Sequence, residues 1–298
     1  MLRHRLALGP VLIAVVIGGL WLDEQLDDSP IPEPIRFLFG GRADFPPGSL
    51  IFLALLLITF FSSRELARIL ADNGIAGSKR VTTTAAFAGL LLSCFIPRTL
   101  DGVTAAALVS TGAVFVLSAS LMFYSRKKTF EGIVAAAGGT LLAFVYLGLM
   151  LGFVLVIRRE HSAWLVLWVV LVTKSSDIGA FFTGTTLGRH KLIPWLSPGK
   201  TWEGLAGGVV FAAGVGAGGA WLLQEAGVPR SPGLGPGAFC GAVFAVVGQA
   251  GDLAESLFKR DAGLKDSGRW VPGFGGVLDL LDSVLTVAPV AYWLLRGV

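Results

Sequence analysis

The chain has 298 residues, of which 54% are hydrophobic and only 15% charged, with a mean hydropathy of +0.73. Soluble domains carry about 25% charged residues, so this composition excludes an ordinary soluble globule and gives an all-α polytopic integral membrane protein. The formal charge of +4 reads as cytoplasmic Lys and Arg rather than as a nucleic-acid surface, and Cys94 and Cys240, both in apolar surroundings, argue against a disulfide framework or a cysteine metal site.

Nine apolar segments follow one another at about 6–22, 49–63, 82–97, 102–124, 131–157, 162–183, 201–223, 237–258 and 274–295. Arg3, His4 and Arg5 precede the first. No small-residue cleavage pattern follows it, so it reads as a retained helix and not a signal peptide. The loop 23–48 is acidic and Pro-rich and needs no catalytic reading. With the N-terminus in the cytoplasm, the inner segments hold 16 Lys and Arg against 7 outside. That bias predicts nine spans, with the C-terminus outside and every motif-bearing loop inside. Residues 1–160 read as lipid-facing and packing helices, and 161–298 as a catalytic region open to the cytoplasm.

The sixth segment carries Lys174 and Asp177 three positions apart, either a pair or a site, since ionisable groups inside a span are functional candidates by default. The next loop holds Ser197-Pro198-Gly199-Lys200-Thr201-Trp202-Glu203-Gly204. Ser197 or Thr201 can cap the following helix. Lys200 opposes that helix dipole unless it meets a bound anion.

In the eighth segment Asp252, Glu255, Ser256 and Lys259 share one helical face. In the ninth, Asp279, Asp282 and Ser283 do the same. Left unpaired in lipid, the four acids would cost on the order of 10 kcal/mol. Facing one another, they make an oxygen-rich site suited to Mg²⁺, with a second cation left open. Lys259, Arg260, Lys265 and Arg269 add positive charge, and Gly273, Gly275 and Gly276 allow close backbone approach to a ligand. The hairpin reads as phosphate held through a divalent cation. The structural alternative is a set of ion pairs, such as Glu255 with Lys259.

Three ordered motifs carry a resemblance, strong over about 170–298. Asp177 to Gly184, Ser197 to Gly204, and the run Ser256-Leu257-Phe258-Lys259-Arg260, Lys265-Asp266, Pro272 to Asp282 resemble the signatures of phosphatidate cytidylyltransferases (CDP-diacylglycerol synthases). The resemblance implies transfer of CMP from CTP to phosphatidate, with Mg²⁺ required and pyrophosphate released, by a homodimer of the cytoplasmic membrane. Asp252, Asp279 and Glu255 are then the metal-binding carboxylates. Lys200, Lys259 and Lys265 neutralise phosphates, and Asp266 and Asp282 join them in the catalytic group. Lys174, Asp177, Ser197, Thr201, Ser256, Arg260, Arg269, Gly275 and Gly276 complete the expected substrate contacts. The pattern has His where Phe274 stands and commonly Arg where Leu280 stands; Arg269 is expected to supply the missing charge. The alternatives are a sister CTP-dependent enzyme acting on another lipid phosphate or a polyprenol, a transporter, and an inactive paralogue.

Overall fold

The computed structural model describes residues 2–27, 29–96, 101–126, 130–268 and 275–297. All nine apolar segments lie on helical rods: α1 (Leu2–Leu26), α2 (Ser49–Asp72), α3 (Lys79–Phe95), α4 (Gly102–Ser125), α5 (Ile133–Glu160), α6 (Ala163–Leu187), α7 (Trp202–Glu225), α8 (Leu234–Asp261) and α9 (Val277–Leu295). Among the described residues, eight rods are long and apolar enough to cross a membrane. The remaining rod, α3, has 17 residues. Lipid offers no partner for a backbone amide, so a helix, which satisfies its own, is what a hydrophobic run can form there. Val15, Val103, Phe115, Met122, Phe181, Phe182 and Val210 stand exposed on the outside of the bundle.

Two apolar cores hold the rods together. Leu66, Ile69, Leu90, Leu147, Leu151 and Leu285 form one, around α2, α3, α5 and α9. Val166, Trp168, Val172, Phe244 and Val287 form the other, around α6, α8 and α9. Small residues set the closest crossings. A methyl added at Gly89 of α3 would strike the Phe144 carbonyl and Gly148 of α5. At that crossing α5 widens into a π-helical stretch, Ala143–Leu149, a local form that often marks functional sites.

Among the described residues, two strands and an isolated bridge between Pro30 and Asp44 depart from an all-helical reading. Between α6 and α7, β1 (Lys191–Ile193) and β2 (Ser197–Thr201) pair antiparallel. Thr201 then caps α7, its Oγ1 accepting Gly204 N at 3.0 Å.

The acidic stretch read as a loop begins inside the last turn of α1, which holds Asp23 and Glu24, and is built into the fold. Arg158, 2% exposed, donates to Asp23 Oδ2 at 2.7 Å and to Asp27 Oδ2 at 2.6 Å, with Glu24 at 3.4 Å. Asp23 Oδ1 accepts Leu50 N and Ile51 N at 2.8 and 3.1 Å, and Glu24 Oε2 accepts Ala163 N at 2.6 Å. One ion cluster thus ties the end of α1 to the starts of α2 and α6 and to the end of α5.

Candidate active site

At the other end of the bundle the ionisable residues of α6, α8 and α9 converge. Their helical spacing puts the acids of α8 and α9 on facing sides, and each acid finds a lysine. Lys200, delivered by β2, donates to Asp252 Oδ2 at 2.5 Å. Lys259 donates to Glu255 Oε2 at 2.6 Å and to Asp279 Oδ1 at 2.7 Å. Lys174 donates to Asp282 Oδ1 at 3.1 Å and to Ser283 Oγ at 2.7 Å. The Glu255–Lys259 pair foreseen as the structural alternative is therefore formed. Lys174 reaches across to α9, while Asp177, on the exposed face of α6, lies in the fields of Lys174, Asp282, Asp252 and Lys200.

The carboxylates divide into two kinds. Asp279 is saturated by donors: Lys259 on one oxygen, and Gly276 N (2.7 Å), Ser267 N (2.9 Å) and Ser267 Oγ (2.9 Å) on the other. Gly275 holds the turn before it at φ +99°, a conformation that favours glycine. Asp252, Glu255 and Asp282 instead point at one another, with one carboxylate oxygen of each within 4.8 Å of the others. Such a group fits a hard cation, which takes oxygen ligands. Glu255 adds a specific observation: it is fully buried, and its Oε1 has no hydrogen-bond partner among the described residues. A buried carboxylate oxygen without a donor is costly, and a cation would relieve it.

Two residues of this cluster come from the N-terminal half, where the sequence pointed only to packing. Glu65 of α2, 3% exposed, accepts Val277 N (3.0 Å), Leu278 N (2.8 Å) and Ser267 Oγ (3.2 Å). Tyr146, in the π-helical stretch, is 5% exposed and packs edge-on against Phe258 with ring centroids 5.8 Å apart. Its hydroxyl has no partner among the described residues and lies in the fields of Glu255, Asp282 and Asp252. An acid inside a span merits the reading given to Asp252, but the apolar run stops at residue 63, which left Glu65 outside the segment as read and without that signal.

Among the described residues, the remaining expected contacts form no ion pair with this centre. Arg260 turns back to the Leu264 carbonyl at 3.3 Å. Lys265 and Asp266 are exposed on the loop after α8. Ser256 is half-buried on α8, and Ser197 half-buried on β2. The space beside Gly276 is filled by Glu65 and Ser267. Arg269, Gly273 and Phe274 lie outside the described residues.

Four carboxylates (Asp252, Glu255, Asp279 and Asp282) thus meet three ammonium groups (Lys174, Lys200 and Lys259), and a fifth, Glu65, joins them through Ser267. The excess of negative charge suits a cation, and the lysines suit phosphate. The cytidylyltransferase family model matches residues 44–298, most of the chain.

The chain belongs to the cytidylyltransferase family.

Its relatives include the phosphatidate cytidylyltransferase of Bacillus subtilis (strain 168), 37% identical over 61% of this chain and 65% of that one. That of Synechocystis sp. (PCC 6803) is 31% identical over 80% and 86%. An uncharacterized protein of Escherichia coli K12, YnbB, is 37% identical over 46% of this chain and 44% of its own. Against several of these relatives the chain spans less than two thirds of their length, between 41% and 65%, while it spans 86% of the Synechocystis protein.

Proposed function

We propose that this family member transfers CMP from CTP to phosphatidate at the cytoplasmic end of the bundle, giving CDP-diacylglycerol and pyrophosphate. The observation that carries the reading is the ring of three acids, Asp252, Glu255 and Asp282, each paired with a lysine from a signature motif or from α6. In the reaction a phosphatidate oxygen forms a bond to the α-phosphorus of CTP. The bond from that phosphorus to the bridging oxygen breaks, and pyrophosphate leaves with the electron pair. The nucleophile is already ionised, so no strong general base is required, and catalysis reduces to positioning and charge neutralisation.

The chain's own groups divide this work. Lys200, Lys259 and Lys174 can exchange carboxylate for phosphate oxygen, since an ammonium serves either as a point charge. Asp252, Glu255 and Asp282 would hold Mg²⁺, which when bound supplies charge neutralisation along the triphosphate. Asp279 fixes Lys259 and the turn at Gly276. Asp177, exposed beside these groups, faces incoming substrate. The Lys and Arg bias supports a cytoplasmic position for this end of the bundle, where nucleotide is available. A homodimer in the cytoplasmic membrane completes the reading.

The deciding experiment is pyrophosphate release by purified protein in detergent–phosphatidate micelles with CTP and Mg²⁺, beside Asp252→Asn. Release that requires phosphatidate and Mg²⁺ and is lost in the variant is the expected result. CDP in place of pyrophosphate would make the chain a CTP-dependent kinase. Release only with another lipid phosphate would make it a sister transferase.

A further inference from the structure

The first turn of α9 supplies only part of its own cap: Asp279 Oδ2 accepts Gly276 N at 2.7 Å, and no side chain of α9 takes the amides of Val277 or Leu278. Gly276 stands at the N-cap position and has no side chain to accept the amides that a helix start leaves without intrahelical partners. The acceptors come from α2. Glu65 Oε1 takes Val277 N at 3.0 Å, and Oε2 takes Leu278 N at 2.8 Å. An acid at a helix N-terminus is also favoured by the dipole.

Glu65 does more than close the helix. The Ser267 hydroxyl lies between Glu65 Oε2 (3.2 Å) and Asp279 Oδ2 (2.9 Å), so the two carboxylates share one side chain. A methyl at Gly268 or at Gly276 would collide with the Glu65 carboxylate, which therefore sets how closely the loop after α8 and the start of α9 approach α2. Neighbouring arginines do not explain Glu65. Arg64 stacks over Phe60 at 5.3 Å, and Arg68 pairs with Asp72 at 3.6 Å. Glu65 is spent on α9 and the loop before it.

We infer that Glu65 is a positioning residue for the C-terminal site: it caps α9 from the N-terminal half of the chain and so fixes where Asp279 and Asp282 stand. The effect on rate rests on the transferase reading; the capping does not.

Glu65→Gln in the full-length protein tests both. The amide keeps the size of the acid but turns one acceptor into a donor that faces another donor. Deuterium exchange in the peptide spanning 276–282 should accelerate about tenfold, as for loss of a cap with an unmet donor. The kcat for pyrophosphate release should fall about tenfold or more while KM for CTP moves less than about threefold, the pattern of misplacement rather than lost binding. Glu65→Asp should recover part of the rate. Unchanged exchange overturns the role, and so does unchanged kcat or a rise confined to KM. If the wild type releases no pyrophosphate, the transferase reading fails and exchange alone decides Glu65. Should Glu65→Gln fail to fold, Glu65→Asp, which keeps the charge but shortens the reach to Val277 N and Leu278 N, carries the same comparison: faster exchange and lower kcat support the role, and wild-type values in both overturn it.

Discussion

Lys174 and Asp282 are separated by 108 positions and meet at 3.1 Å, which places a cation of α6 against the acid that completes the carboxylate group of α8 and α9. Removing that cation should have opposite effects on two observables. Lys174→Met leaves Asp252, Glu255 and Asp282 less neutralised, so a divalent cation should bind more tightly, by roughly tenfold if the lost repulsion is about 1–2 kcal/mol. Turnover should fall, because the variant lacks the ammonium proposed to hold phosphate. Mn²⁺ titration by calorimetry and pyrophosphate release on the same preparation check the pair. Weaker Mn²⁺ binding in the variant would show that Lys174 shapes the site by packing rather than by charge.

Asp279 and Asp282 lie one helical turn apart and are expected to fail differently. Asp282 faces Asp252 and Glu255, so Asp282→Asn should raise the Mg²⁺ concentration for half-maximal rate about tenfold or more, as for loss of a metal-directed group. Asp279 is saturated by Lys259, Ser267 and Gly276. Asp279→Asn should therefore depress kcat with little change in the Mg²⁺ requirement. Mg²⁺ activation curves for both variants separate the roles. A large Mg²⁺ shift in Asp279→Asn would restore Asp279 as a metal-binding carboxylate.

The acids of α8 and α9 were legible because helical spacing is local: residues three and four apart share a face whatever surrounds them. The nine apolar segments were legible for the same kind of reason, and over the described residues each falls on a rod. Glu65 and Tyr146 were not. Glu65 meets Ser267 across 202 positions, and nothing in the residues around Glu65 specifies that partner. Tyr146 is brought in by the π-helical widening of α5, which shifts a side chain off the face that regular periodicity assigns. The β1–β2 ribbon was missed because Pro194, Pro198 and Gly199 mark a loop more strongly than strands of three and five residues mark a sheet. Lys200 needs that ribbon to reach Asp252.

The Arg158 cluster makes a prediction about stability at the end of the bundle away from the site. Arg158→Met strands Asp23, which is 1% exposed, and removal of one member of a buried pair costs about 3–5 kcal/mol. Thermal unfolding in detergent should show that loss, and surviving folded protein should keep its KM for CTP. Asp27 works in the other direction. Burial lifts its carboxyl above the ordinary aspartate value, the Arg158 hydrogen bond opposing this only in part. A raised acid binds its proton more readily in the folded state, so stability falls as pH rises through the window above the ordinary value. Asp27→Asn should thus raise the unfolding midpoint at pH 7, with Asp23 and Glu24 still neutralising Arg158. The gain should shrink toward pH 4. A lower midpoint at pH 7 would mean that the Asp27 charge is needed in full.

Tyr146→Phe separates a functional hydroxyl from a structural one. The ring is buried against Phe258, and the hydroxyl has no partner among the described residues. Burying a hydroxyl without a hydrogen bond costs about 1–3 kcal/mol. The variant keeps the ring and drops that cost, so packing alone predicts a protein as stable as the wild type or more so. Activity should move the other way. A hydroxyl retained at such a cost in the field of Asp252, Glu255 and Asp282 is placed to donate to a phosphate oxygen or to a cation-bound water. Loss of one such hydrogen bond in a water-poor site lowers kcat/KM by about ten- to a hundredfold. Unfolding midpoints and pyrophosphate release, measured together, decide it. Higher stability with lower turnover assigns the hydroxyl to substrate. Unchanged turnover leaves Tyr146 as a packing residue of the π-helical stretch, and lower stability reveals a structural partner for the hydroxyl.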